Sequence, residues 1–176
     1  VEPEDKRRVT VQGQKFVPGD RSRVLLPLVF CRECGQDYYP VRAVPDPATG
    51  RRSYAPRALT DLQHEDGTEA GFLFVSVDDP WPDDPGQVLA RIPDDWVEEP
   101  QGFPRVRAIR RKELPLGVRV APDGREDEEG LACHYLPAPF RFCLRCGVSY
   151  GFRNNTDFGK LATLSSEGRS TATTIL

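Results

Sequence analysis

The sequence predicts a mainly β fold with little helix, in which two cysteine knuckles close a β-rich module into a ribbon. Two observations predict it. Short aromatic and β-branched runs alternate with breakers, for the 176 residues include 17 Pro and 15 Gly, and such runs read as strands joined by turns. In addition, Phe30-Cys31-Arg32-Glu33-Cys34-Gly35-Gln36-Asp37-Tyr38 and Phe142-Cys143-Leu144-Arg145-Cys146-Gly147-Val148-Ser149-Tyr150 both read FCxxCGxxY and use four of the five cysteines. Hydrophobic residues make up 38% and charged residues 29%, so the core is modest and a cross-link matters to its stability.

Taken in order, residues 1–23 are polar and form an N-terminal arm broken by Gly13, Pro18 and Gly19. The apolar run 24–30 is expected to be a strand feeding the first knuckle, and Tyr38–Val44 the strand that returns from it. A loop follows through Pro45, Pro47 and Gly50, and residues 51–71 carry no clear pattern. Phe72–Val77 is aromatic, β-branched and ended by Asp78-Asp79-Pro80, which makes it a strand. The Pro-rich stretch to Pro100 is expected to be irregular apart from a helical turn at 94–98. Residues 105–110 and 117–120 read as strands, Pro122–Arg125 as a turn, and 131–136 as a strand. Phe140–Phe142 enters the second knuckle and 148–152 leaves it. The β-rich module therefore spans 24–156, and 157–176 form a connector.

A CxxC turn points both sulfurs at one spot, and a glycine after the second cysteine allows a positive φ that swings backbone amides toward the thiolates. Cys31, Cys34, Cys143 and Cys146 thus supply the ligand set of structural zinc. Zinc ribbons usually place about 15–20 residues between their pairs, whereas residues 35–142 intervene here. The matched flanks carry the case instead. Disulfides remain the alternative, but five cysteines and no apolar signal segment fit a reducing cytoplasm better. A redox CxxC needs only one pair, on a βα unit that is not evident. His134 or His64 replacing one thiolate is a further alternative.

No catalytic constellation is found. Gly151 to Gly159-Lys160-Leu161 approaches a phosphate loop but has Asn154 and Leu161 where the loop needs Gly and a hydroxyl, and the acids 126–129 follow a turn and not a strand. Cys133 and His134 are neighbours on a strand and so face opposite ways. Cys133 is expected to be buried. No apolar run is long enough for a membrane span. Charge, however, is segregated. Residues 78–99 hold eight acids against Arg91, a balance of −7, and residues 101–120 reverse it to +5. Arg105, Arg107, Arg110, Arg111 and Lys112 either follow a phosphate backbone or pair with the acidic stretch before them. Trp81 and Trp96 either dock a partner or pack in the core.

The segments LVFCRECGQDYYPV, FRFCLRCGVSY and DFGKLATLSSEGRSTATTIL resemble the cysteine-bearing insertion of very large bacterial superfamily 2 DEAD/DEAH-box helicases of phage-defence systems, the Druantia and DISARM types among them. The resemblance implies a zinc-ribbon insertion between two RecA-like motor lobes, with SSEGRSTATTIL leading into the second. It also implies ATP and magnesium in a parent chain only, DNA as substrate, and the motor lobes or defence-system subunits as partners. Val1, the absence of Met and the Thr-rich ending agree with an excised piece. The competing expectation is a protein-interaction module.

Overall fold

The computed structural model describes residues 14–61, 66–151, 153 and 156–163. A hairpin of β1 (Phe16–Val17) and β2 (Asp20–Val24) precedes a seven-stranded antiparallel sheet. The sheet is built from β3 (Val29–Cys31), β4 (Asp37–Pro45), β5 (Arg52–Pro56), β6 (Glu69–Phe74), β9 (Leu116–Val120), β10 (Leu131–Pro137) and β11 (Leu161–Thr163). Its order is β11-β3-β4-β6-β10-β9, with β5 paired to the second half of β4. Between β6 and β9 an arm carries helix α1 (Pro85–Arg91) and a ribbon of β7 (Val97–Glu98) with β8 (Arg105–Val106). The mainly β expectation holds.

The central strands are buried on both faces, and their alternation sorts the core into two clusters. Tyr38, Phe72, Phe74 and Leu136 point to one face, where they meet Trp81, Trp96, Phe140 and Phe142. Tyr39, Val41, Leu73, Val75, Cys133 and Tyr135 point to the other, beneath Tyr54 and Val120. Period-two alternation explains the split. Each fully buried phenylalanine on the first face contributes roughly 1.5–3 kcal/mol by leaving water.

Several elements depart from expectation. The run 24–30 is not one strand. Pairing stops after Val24 and resumes at Val29, across Pro27, which has no N–H to give to a ladder, while Leu26 and Leu28 pack on the second cluster. Strand β5 lies in the stretch that showed no pattern, held by five paired positions with β4. Helix α1 lies in the stretch expected to be irregular. Its prolines bound it and do not break it, because Pro85 sits in the first turn and Pro93 follows the C-cap Ile92, while Asp84 accepts a hydrogen bond from Gln87 N at 2.9 Å. The expected strand 105–110 is confined to Arg105–Val106, and the chain then curls into a 3₁₀ helix over Ala108–Glu113. A two-residue partner strand offers nothing further to pair with, and Arg110 turns in over Trp96 at 4.8 Å. Residues 148–152 show no strand among those described, only the bridge Phe142↔Ser149.

Residues 157–163, expected to open a connector, complete the sheet. Leu161–Thr163 pair with β3, Leu161 opposite Cys31. They are anchored by a polar clasp. The fully buried Lys160 donates from Nζ to Phe140 O at 2.8 Å and meets Asp157 Oδ1 at 3.2 Å, while the same carboxylate accepts Phe140 N at 2.9 Å. Burial pulls the Lys160 ammonium below its ordinary pKa, and Asp157 opposes the shift. The clasp fixes the approach to the second knuckle. The end of the chain expected to start a helix, 171–176, and the arm residues 1–13 lie outside the described residues.

Candidate metal centre

Each knuckle is a tight turn closed by its own backbone. In the first, Gly35 N donates to Cys31 O at 2.9 Å and Cys31 N to Gln36 O at 2.8 Å; in the second, Gly147 N donates to Cys143 O at 3.0 Å and Cys143 N to Val148 O at 2.9 Å. Gly35 and Gly147 have φ of 76° and 72°, the left-handed region in which a side chain is strained. The repeated sequence is a repeated structure.

The two turns face each other although residues 35–142 separate them. Cys31 Sγ lies 4.0 Å from Cys146 Sγ, and Cys34 Sγ lies 3.7 Å from Cys143 Sγ. All four sulfurs fall within 4.8 Å of one another. A tetrahedral ion bound at a Zn–S distance of about 2.3 Å sets its sulfurs about 3.8 Å apart. The four thiols therefore already occupy the corners that such an ion requires. All are free, with Cys31 and Cys143 buried and Cys34 and Cys146 exposed, so the disulfide alternative is not the arrangement observed.

Electrostatics favour a cation at the centre. Burial raises the Cys34 thiol well above its ordinary pKa; the Gln36 amide donates and opposes this, while the neighbouring Cys143 adds to the rise. Thiolates packed this closely repel one another unless a positive ion lies between them, and a coordinating metal deprotonates a thiol outright. The residues fit zinc, which Cys31, Cys34, Cys143 and Cys146 would hold and which would act as a cross-link between the ends of the module.

A tyrosine that the sequence reading left without a role braces this centre. Tyr38, wholly buried, accepts Leu144 N at 2.8 Å, which leaves its own O–H to donate to Cys143 Sγ at 3.2 Å. Burial, then the charge of Cys143, drives the phenol far above its ordinary pKa, so it stays a donor. Its counterpart in the second repeat, Tyr150, behaves differently. That ring packs on Phe140 and lies 5.5 Å from Lys160 Nζ, with its pKa pushed up to about 12 by burial and then by Cys31. The final tyrosine of FCxxCGxxY was the signal for this brace.

Arg91 secures the second knuckle from outside. Its guanidinium binds Asp79 at 2.9 and 3.0 Å, lies 5.1 Å from the Trp81 ring and donates to Leu144 O at 2.6 Å. Trp81 and Trp96 flank Phe142 edge-on at 5.7 and 4.9 Å. Both indoles are core residues, which takes them away from any docking role. Cys133 and His134 do face opposite ways: Cys133 is buried in the second cluster, and His134 lines a cavity of about 160 Å³ with Trp81, Asp83, Val88 and Leu114. Neither joins the sulfurs, and His64 lies outside the described residues.

The five cations singled out by the sequence are not equivalent. Arg105 pairs with Glu98 at 2.8 Å, and the buried Arg110 with Asp95 at 3.2 Å and Glu113 at 2.9 Å. Arg107 donates to Val97 O at 3.1 Å, and Arg111 and Lys112 are exposed. The acidic stretch thus engages two of the five.

No family model, no curated protein and no solved structure matches this chain. Fold and site define a class nonetheless: a β-rich module assembled around a four-cysteine cluster able to hold a metal ion. Among the described residues no helix is long and apolar enough to cross a membrane.

Proposed function

We propose that the chain is a structural zinc-binding accessory module of an ATP-dependent DNA helicase or translocase of bacterial antiphage defence, and that it guides DNA or organises the motor lobes. The observation that carries this reading is the convergence of four sulfurs from opposite ends of the sequence within 4.8 Å. An ion held there joins the module's entry to its exit. An inserted domain needs that junction if motor movements are to reach it without unravelling it. The helicase context rests on the resemblance of the knuckles and of residues 157–176 to such insertions; ATP and magnesium belong to the motor lobes and to none of these residues.

Zinc bound at four thiolates with no open position is structural, since catalytic zinc keeps one site for water or substrate. Elemental analysis of the purified chain should therefore find one zinc per molecule, lost when Cys34 and Cys146 are replaced by Ser. DNA should bind with strong salt dependence. A chain that purifies without zinc, or one that ignores DNA at low salt, overturns the corresponding half of the proposal.

A further inference from the structure

Resting on the reading of the module as a nucleic-acid guide, we propose that residues 103–112 form a surface for single-stranded nucleic acid. Phe103 is its stacking platform, and Arg107, Arg111 and Lys112 are its phosphate contacts. The charges alone do not lead here. Phe103 and Ile109 are each 75% exposed, more than any other large apolar side chain described. Both lie within the basic segment.

The backbone presents Phe103 deliberately. Gln101 and Gly102 take φ of 58° and 82° in succession, and a non-glycine residue in this region is uncommon and carries strain. That double turn ends the ribbon and sets Phe103 at its tip. Beyond it Val106 packs toward the first cluster, which leaves Arg105 and Arg107 on the outward side.

The charge that remains is cationic. Glu98 and Asp95 neutralise Arg105 and Arg110, whereas among the described residues Arg107, Arg111 and Lys112 have no acidic partner. The exposed acids nearby, Asp94 and Glu99, belong to the arm preceding the tip. A polyanion with exposed flat rings satisfies both halves of this surface. Single strands have them and a duplex does not, because its bases are stacked on each other.

Fluorescence anisotropy of the intact chain with labelled oligothymidylate, oligouridylate and a duplex of matched length tests this. Single strands should bind more tightly than the duplex, and the two homopolymers show whether ribose or deoxyribose is preferred. Phe103→Ala should weaken single-strand binding about tenfold while leaving the salt slope intact. The triple variant Arg107→Ala, Arg111→Ala, Lys112→Ala should lower that slope by about 2, at roughly 0.7 per phosphate contact. All four side chains are exposed, so melting temperatures should not move.

If the cations matter but Phe103 does not, or the duplex binds equally well, this inference fails and the guide reading stands. If no nucleic acid binds at low salt, both fail. If a polyglutamate peptide displaces the oligonucleotide as effectively as unlabelled oligonucleotide does, the surface serves acidic peptides and the inference also fails.

Discussion

The two faces of the central sheet are made from the same strands yet are held in different ways. The second face is an ordinary core: Tyr54 and Tyr135 meet at 5.7 Å over Val41, Leu73 and Val120, and its one cysteine, Cys133, is a buried thiol with its pKa pushed up to about 12 by desolvation. The first face carries more aromatic rings, but they lie against two knuckles, an arm and a terminal strand that pair little with the rest of the sheet. Backbone ladders organise the second face, whereas the first is joined through four sulfurs, the Tyr38 brace and the Lys160 clasp. Burial depth alone does not tell which half of a small domain depends on an ion. The source of the connections does.

Removing the ion is the most severe way to break that contrast. Structural zinc contributes apparent binding energies of about 10–16 kcal/mol, comparable to or larger than the whole stability of about 5–15 kcal/mol expected of a domain. A strong chelator, or Cys143→Ser, should therefore unfold the first face. Trp81 and Trp96 both sit there, so their emission should shift to the red as they become wet. Emission that stays blue after the metal is stripped would place the clasp elsewhere.

A smaller change separates the two repeats. Tyr38→Phe keeps the ring in the core but deletes the hydrogen bond to Cys143 and leaves Leu144 N without its acceptor. Loss of such an outer partner typically costs about 10–100-fold in metal affinity. Tyr150→Phe removes a hydroxyl for which no hydrogen bond to sulfur is seen and should change affinity little. Competition with a chromogenic chelator reads both, and equal effects would show that the repeats are equivalent after all.

Much of the metal centre was legible in the sequence because its ligands are fixed by local turns: CxxCG encodes both the direction of the sulfurs and the positive φ, and neither depends on the rest of the chain. Strands β4, β6, β9 and β10 were legible for a similar reason, since their aromatic and β-branched runs are long enough to show. What escaped was decided at a distance. Strand β5 has little pattern of its own and exists because β4 has an edge to fill. Prolines on either side of α1 looked like breakers when they were its boundaries. Lys160 looked exposed because a lysine is rarely buried, and only the fold supplies Asp157 and Phe140 O to meet it. The basic strip read as five equal cations because the acids that engage Arg105 and Arg110 act through space.

The finest contrast between the faces is acid sensitivity at His134. Burial lowers its pKa from the ordinary 6.5, and the charge of Asp83 opposes that only in part. It lies on β10 with Phe74 and Gly117 opposite it, facing the cavity of the first face. A histidine kept neutral by the fold takes up its proton more readily when unfolded, so unfolding gains protons as pH falls through 6.5 toward the lower folded value. Its contribution is complete above that window and lost on acidification through it. His134→Gln should therefore lose less stability than wild type between neutral pH and pH values below 6.5 in urea melts. Protonation of the thiolates affects both proteins alike, so the difference between their curves isolates the imidazole. Parallel curves would mean that the cavity admits enough water to leave this histidine unperturbed.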